Sequence, residues 1–157
     1  SSAHIQIDTL LPKNQGLLFA KSSHVGSLIG NVVHYGRTES GGVKNLYAVP
    51  LREPVGTTFK GSYNTYLNQG CTLYLANSAT AKETVTVSMK QNDGTNPVKD
   101  YSLAVPGRGV IAEDLCAKSP KNVYGVVTVT ATKPKRISSL VVRNGEGERY
   151  KMATPMR

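Results

Sequence analysis

A chain of 157 residues holds one ordinary domain or two small ones. With 39% hydrophobic and 18% charged residues it can bury a core, which excludes a disordered tail, and no apolar run reaches the length of a membrane span. The net charge of +9 points either to an anionic partner (nucleic acid, anionic glycan or an anionic cell surface) or to a solvated basic face.

From the start, almost nothing has helical periodicity. The opening SSAHIQIDTL carries neither an initiator Met nor a signal-peptide pattern, so it reads as a mature or excised segment. Short alternating or β-branched runs follow one another, bounded by Gly, Pro, Asn, Asp and Ser. They are HIQIDTL (4–10), GLLFAKS (16–22), SLIGNVVHYG (27–36), VKNLYAVPL (43–51), TTFKGSYNTYL (57–67) and CTLYLANS (71–78). Beyond these come ETVTVSMKQ (83–91), VKDYSLAV (98–105), GVIAEDL (109–115), VYGVVTVTAT (123–132), RISSLVVRN (136–144) and RYKMATPM (149–156). In ETVTVSMK, Val85, Val87 and Met89 share one face while Thr84, Thr86, Ser88 and Lys90 share the other, the pattern of a half-buried antiparallel strand. Val127 and Val129 are expected to meet the first set from another strand. NDGTNP and VPGRG read as tight turns, and EDLCAKSPKN has room for a turn or two of helix before Pro120 stops it. About twelve short strands with turns every eight to twelve residues predict an all-β fold, an antiparallel β-sandwich of Ig-like or jelly-roll-like type.

Two stretches repeat each other. NVVHYGRTESGGVKNLYAVPLR and SLVVRNGEGERYKMATPMR both contain VVxxG, a polar glycine-bearing loop, and a strand-like run ending AxPxR. Val32, Val33 and Gly36 answer Val141, Val142 and Gly145; Ala48, Pro50 and Arg52 answer Ala153, Pro155 and Arg157. The length difference falls in the loop, where it costs little. If one unit ends at each AxPxR, residues 1–53 form a partial β-sandwich unit and residues 54–157 a complete one, with fusion into one domain as the alternative. A partial unit leaves apolar faces to be covered by the complete unit or by another copy of the chain, and self-association through open sheet edges follows from the second option.

Cys71 and Cys116 are the two cysteines. They cannot make a four-cysteine zinc site, and an even pair in a secreted-looking β chain predicts a disulfide, with two buried free thiols as the alternative. The loop so closed, about 45 residues, makes the bond worth about 3–4 kcal/mol on the chain-entropy model.

Three further stretches carry a family resemblance. YLANSATAKETVTVSMKQNDG, YSLAVPGRGVIAEDL and VYGVVTVTATKPKRISSLVVRNG resemble the tandem Ig-like β-sandwich repeats of bacterial secreted and surface proteins. The resemblance implies spacing, adhesion or surface structure rather than catalysis, and an extracellular or cell-surface location.

Chemistry-bearing motifs point the same way. His4, His24 and His34 have no metal-ligand spacing, no GxSxG occurs, and the glycine-rich stretches precede no helix that would make a phosphate loop. The acidic pairs Glu113/Asp114 and Glu146/Glu148 read as solvated surface, with calcium binding or cross-strand pairing as the alternatives. No metal, cofactor or enzymatic activity is expected. Tyr63, Tyr66 and Tyr74 are the candidate ligand-binding residues, as a platform for sugar stacking, with core or sheet-edge packing as the plain alternative. Lys133, Lys135 and Arg136 form the candidate patch for an anionic partner. The leading expectation is a non-enzymatic extracellular structural or adhesive protein that self-associates, with an anionic glycan or cell-surface polymer as a further partner. A carbohydrate-binding module ranks second. A small viral coat or nucleic-acid-associated β protein ranks third, because the start of the chain lacks a basic arm.

Overall fold

The computed structural model describes residues 5–6, 17–20, 22–24, 29–146 and 150–157. Ten strands occupy them: β1 (Asn31–Arg37), β2 (Val43–Pro50), β3 (Thr58–Asn64), β4 (Gly70–Asn77), β5 (Glu83–Gln91), β6 (Tyr101–Val105), β7 (Val110–Asp114), β8 (Tyr124–Ala131), β9 (Ile137–Asn144) and β10 (Lys151–Pro155). Single 3₁₀ turns lie at Tyr66–Asn68 and Cys116–Lys118. The twelve strands expected become ten among the described residues. Most of HIQIDTL and part of GLLFAKS lie outside those residues, and the described stretches 5–6 and 17–20 form no strand.

Strands β3 to β10 make an antiparallel sandwich. One sheet has the order β10-β9-β4-β7 and the other β3-β8-β5-β6. Alternation decides which side chains meet between them. From β4, Cys71, Leu73 and Leu75 point inward; from β9, Ile137 and Val141. The opposing sheet supplies Phe59 and Tyr63 from β3, Val85, Val87 and Met89 from β5, and Val127, Val129 and Ala131 from β8. Val85, Val87, Met89, Val127 and Val129 are fully buried, and Met89 lies opposite Val127 in the β5–β8 register. The expected shared core of these five is present.

The strand adjacency is specific. Counting from β3, the second and fifth strands of the sandwich are neighbours, as are the third and sixth. Immunoglobulin-type sandwiches share this adjacency. At the margins the order departs, since β3 lies beside β8 and β9 beside β4. Consequently β9 is an inner strand with β4 on one side and β10 on the other.

Two local devices close the sandwich. The Cys71–Cys116 disulfide joins the start of β4 to the turn after β7, with a Cα–Cα distance of 5.2 Å. At the other end, Lys60 and Arg157 exchange backbone hydrogen bonds, tying the segment after β10 to β3 across the two sheets. That crossing is tight. Met156 lies on Gly61, where a Cβ would approach its Cγ to 2.7 Å, so a side chain at position 61 would displace it.

Candidate functional site

Strands β1 and β2 form a two-stranded sheet of their own, outside the sandwich sheets. The hairpin turns through Thr38–Gly42, with Gly41 at φ 84° supplying the left-handed residue. Its register pairs Val33 with Ala48, Val32 with Val49 and Asn31 with Pro50. The β9–β10 hairpin pairs Val142 with Ala153, Val141 with Thr154 and Leu140 with Pro155. These are the same pairings at the positions matched by sequence. The likeness extends past both ends: Leu51 donates to the Gly30 carbonyl at 2.9 Å as Met156 donates to that of Ser139 at 3.0 Å. At the loop end, a Cβ on Gly36 would collide with Asn45, and one on Gly145 with Tyr150. The repeated stretches therefore fold as one hairpin built twice.

Their surroundings differ. In the second hairpin β9 is paired on both edges and Val141 and Val142 are buried. In the first, β1 pairs with β2 alone among the described residues, and Val33, Tyr35, Val43 and Leu46 are 43–58% exposed. Tyr35 and Leu46 face each other across the register, so they make an exposed apolar pair. The hairpin rests against the sandwich through β2, which packs beside β10. His34 stacks on Tyr47 with ring centroids 4.8 Å apart. Burial, and secondarily the nearby Tyr74, push the Tyr47 hydroxyl above its ordinary pKa.

The three tyrosines singled out from sequence do not form a platform. Tyr63 is 1% exposed because its parity on β3 turns it into the core. Tyr74 alternates with the buried Leu73 and Leu75 and so lies on the outer face of β4. Tyr66, in the turn after β3, is exposed and faces Tyr124, with centroids 6.3 Å apart. Next to it Leu67 is 80% exposed at φ 55°, a left-handed conformation uncommon for this residue type. Sequence reading missed Tyr124 because the strand periodicity that marks it as outward says nothing of which loop it meets.

The basic patch also changes character. Lys133 and Lys135 are exposed in the β8–β9 turn, but Arg136 lies 3.6 Å from the carboxylate of Glu83. Glu83 is 3% exposed and accepts hydrogen bonds from the Thr132 hydroxyl and from the backbone N–H groups of Thr132 and Lys133. These bonds, the Thr132 hydroxyl foremost, hold its pKa below the ordinary value. Arg136 thus anchors a turn instead of presenting a third cation. The signal was in the sequence: Glu83 has the parity of Val85, Val87 and Met89, so a carboxylate was aimed inward and needed partners.

The other polar groups have local roles. Glu113 pairs with Lys118 at 3.2 Å, and Asp114 accepts from the Ala117 N–H at 3.0 Å. Asp93 accepts from the Thr95 N–H and hydroxyl, which lowers its pKa and fixes the NDG turn with Gly94 at φ 86°. His24 bonds Ser23 at 3.0 Å, while His4 and Glu148 lie outside the described residues. Among the described residues no cluster of three metal-ligating side chains occurs, and no helix is long and apolar enough to cross a membrane. The disulfide suits a non-reducing environment. Comparison with protein-family models, curated proteins and solved structures found no match.

Proposed function

We propose that the chain is a non-enzymatic, extracellular structural or adhesive protein of the tandem Ig-like sandwich kind, which self-associates through an open sheet edge. One observation carries the reading: the β1–β2 hairpin duplicates a hairpin that elsewhere in the chain is an integral part of a sandwich, yet among the described residues β1 pairs with β2 alone and carries an exposed Tyr35–Leu46 pair. An edge strand of this kind is a template for another chain. The contact is heterologous if an edge meets a different surface of the next copy, and such contacts build rings or filaments. Sedimentation of the chain over a range of concentrations tests it. Association is expected to grow with concentration and to fall when Tyr35 and Leu46 are both replaced by Lys, which puts like charges opposite each other on the hairpin. A monomer at every concentration, with protected amides throughout β1, defeats the reading.

A further inference from the structure

The ends of the two hairpins meet. Pro50 and Arg52 of the first, Thr154, Pro155 and Arg157 of the second, and Lys60 of β3 line one groove of about 430 Å³. The arginines are the two copies of the repeat's terminal residue, so duplication itself has placed two guanidinium-bearing residues beside the same cleft. Lys60 joins them for a reason of register. It exchanges both backbone hydrogen bonds with Arg157, which makes the two directly opposed residues of an antiparallel pair. Like charges in that relation repel and destabilise the pair. Arg52, Lys60 and Arg157 are all exposed; among the described residues no acidic one lines the groove, and none makes an ion pair with any of the three.

We infer that this groove is a binding site for an acidic polysaccharide, taking the carboxylate or sulfate of one sugar unit between Arg52, Lys60 and Arg157. Convergent cationic side chains with no acidic side chain beside them among the described lining residues attract an anion from outside, and Arg matches the planar, two-oxygen geometry of a carboxylate or sulfate edge. The volume lies within the range of small-molecule sites, roughly 300–1,000 Å³. The rest of the lining selects among anions. Pro50 and Pro155 offer apolar C–H surface for a sugar ring, which a free inorganic anion would not use. Among the described residues no aromatic ring lines the groove to stack a nucleobase, which disfavours a nucleic acid. The site is distinct from the exposed Tyr35–Leu46 pair, so sugar binding and self-association fail or succeed separately.

Calorimetric titration of the full chain with an oligogalacturonate and with a sulfated dextran fragment at low salt tests the site. Lys60→Gln and Arg52→Gln are each expected to weaken binding about tenfold, the cost of one charge-assisted hydrogen bond. A Lys133→Gln/Lys135→Gln control removes the same kind of charge elsewhere and is expected to change affinity less than about twofold. A readout independent of ligand accompanies it: Lys60→Gln relieves the opposed charges and raises the melting temperature of the free protein, as loss of a functional strain does. Equal weakening in the control assigns binding to bulk charge and overturns the site, as does an unchanged or lowered melting temperature for Lys60→Gln. Absence of binding to both oligosaccharides also overturns it. So does binding of inorganic phosphate or single-stranded DNA as tightly and with the same dependence on Lys60.

Discussion

The β1–β2 and β9–β10 hairpins share sequence, register and terminal hydrogen bonds, but the second is built into a core and the first lies on the outside of one. Val141 is fully buried while its counterpart Val32 is only partly so; Val142 is 7% exposed and its counterpart Val33 43%. The hairpin conformation is thus set by local pairing and turn chemistry, and its burial by what the rest of the chain brings to its other edge. In the second hairpin that neighbour is β4, which runs along β9 from Gly70 to Asn77.

The comparison breaks most severely if the host of the second hairpin is loosened. Removing the disulfide with Cys71→Ser/Cys116→Ser is expected to cost about 3–4 kcal/mol. Cys71 lies opposite Arg143 in the β4–β9 register, so hydrogen exchange should speed up in β9 and leave β1 as it was. Equal acceleration in both hairpins would mean that the first depends on the same core. Thiol labelling of the unreduced, denatured protein should find no free cysteine.

A smaller change sharpens the comparison. Val141→Ala is expected to cost about 1–3 kcal/mol, as for other large-to-small core changes, and Val87→Ala the same. Val33→Ala in the first hairpin is expected to stay within about 0.5 kcal/mol, the range of surface substitutions. Denaturant melts of the three variants measure the contrast. A Val33→Ala cost equal to that of Val141→Ala would show that the exposed hairpin is covered in solution.

Acid should act through the turn that leads into the second hairpin, and more gently. Glu83 holds the turn that leads into β9, and its folded pKa lies below the unfolded value. The sign follows: its stabilisation is present above the ordinary carboxyl range, about pH 4–5, and is lost as pH falls through the lower folded pKa. The stability difference between wild type and Glu83→Gln should therefore be constant near neutrality and shrink as the pH falls below about 4. Denaturant melts at several pH values read it, and a difference that grows on acidification would contradict the assignment.

Much of this was legible in residue order. The VVxxG and AxPxR echo predicted twin hairpins, because turn composition and alternating apolar residues act over a few residues and need no distant partner. Val85, Val87 and Met89 announced a buried face for the same reason, and an even pair of cysteines in such a chain announced the bond between Cys71 and Cys116. Parity was visible but its destination was not. Tyr63 entered the core and Tyr66 met Tyr124 across a distant loop. Glu83 took Arg136 out of the patch in which its neighbours left it. The groove of Arg52, Lys60 and Arg157 was written in three places and assembled only when the Arg157 segment crossed to β3. Local pattern determines strand, turn and face, because those depend on backbone geometry and near neighbours. Which faces meet, which edge stays open and which charges converge depends on contacts distant in sequence, and those only the packed sandwich decided.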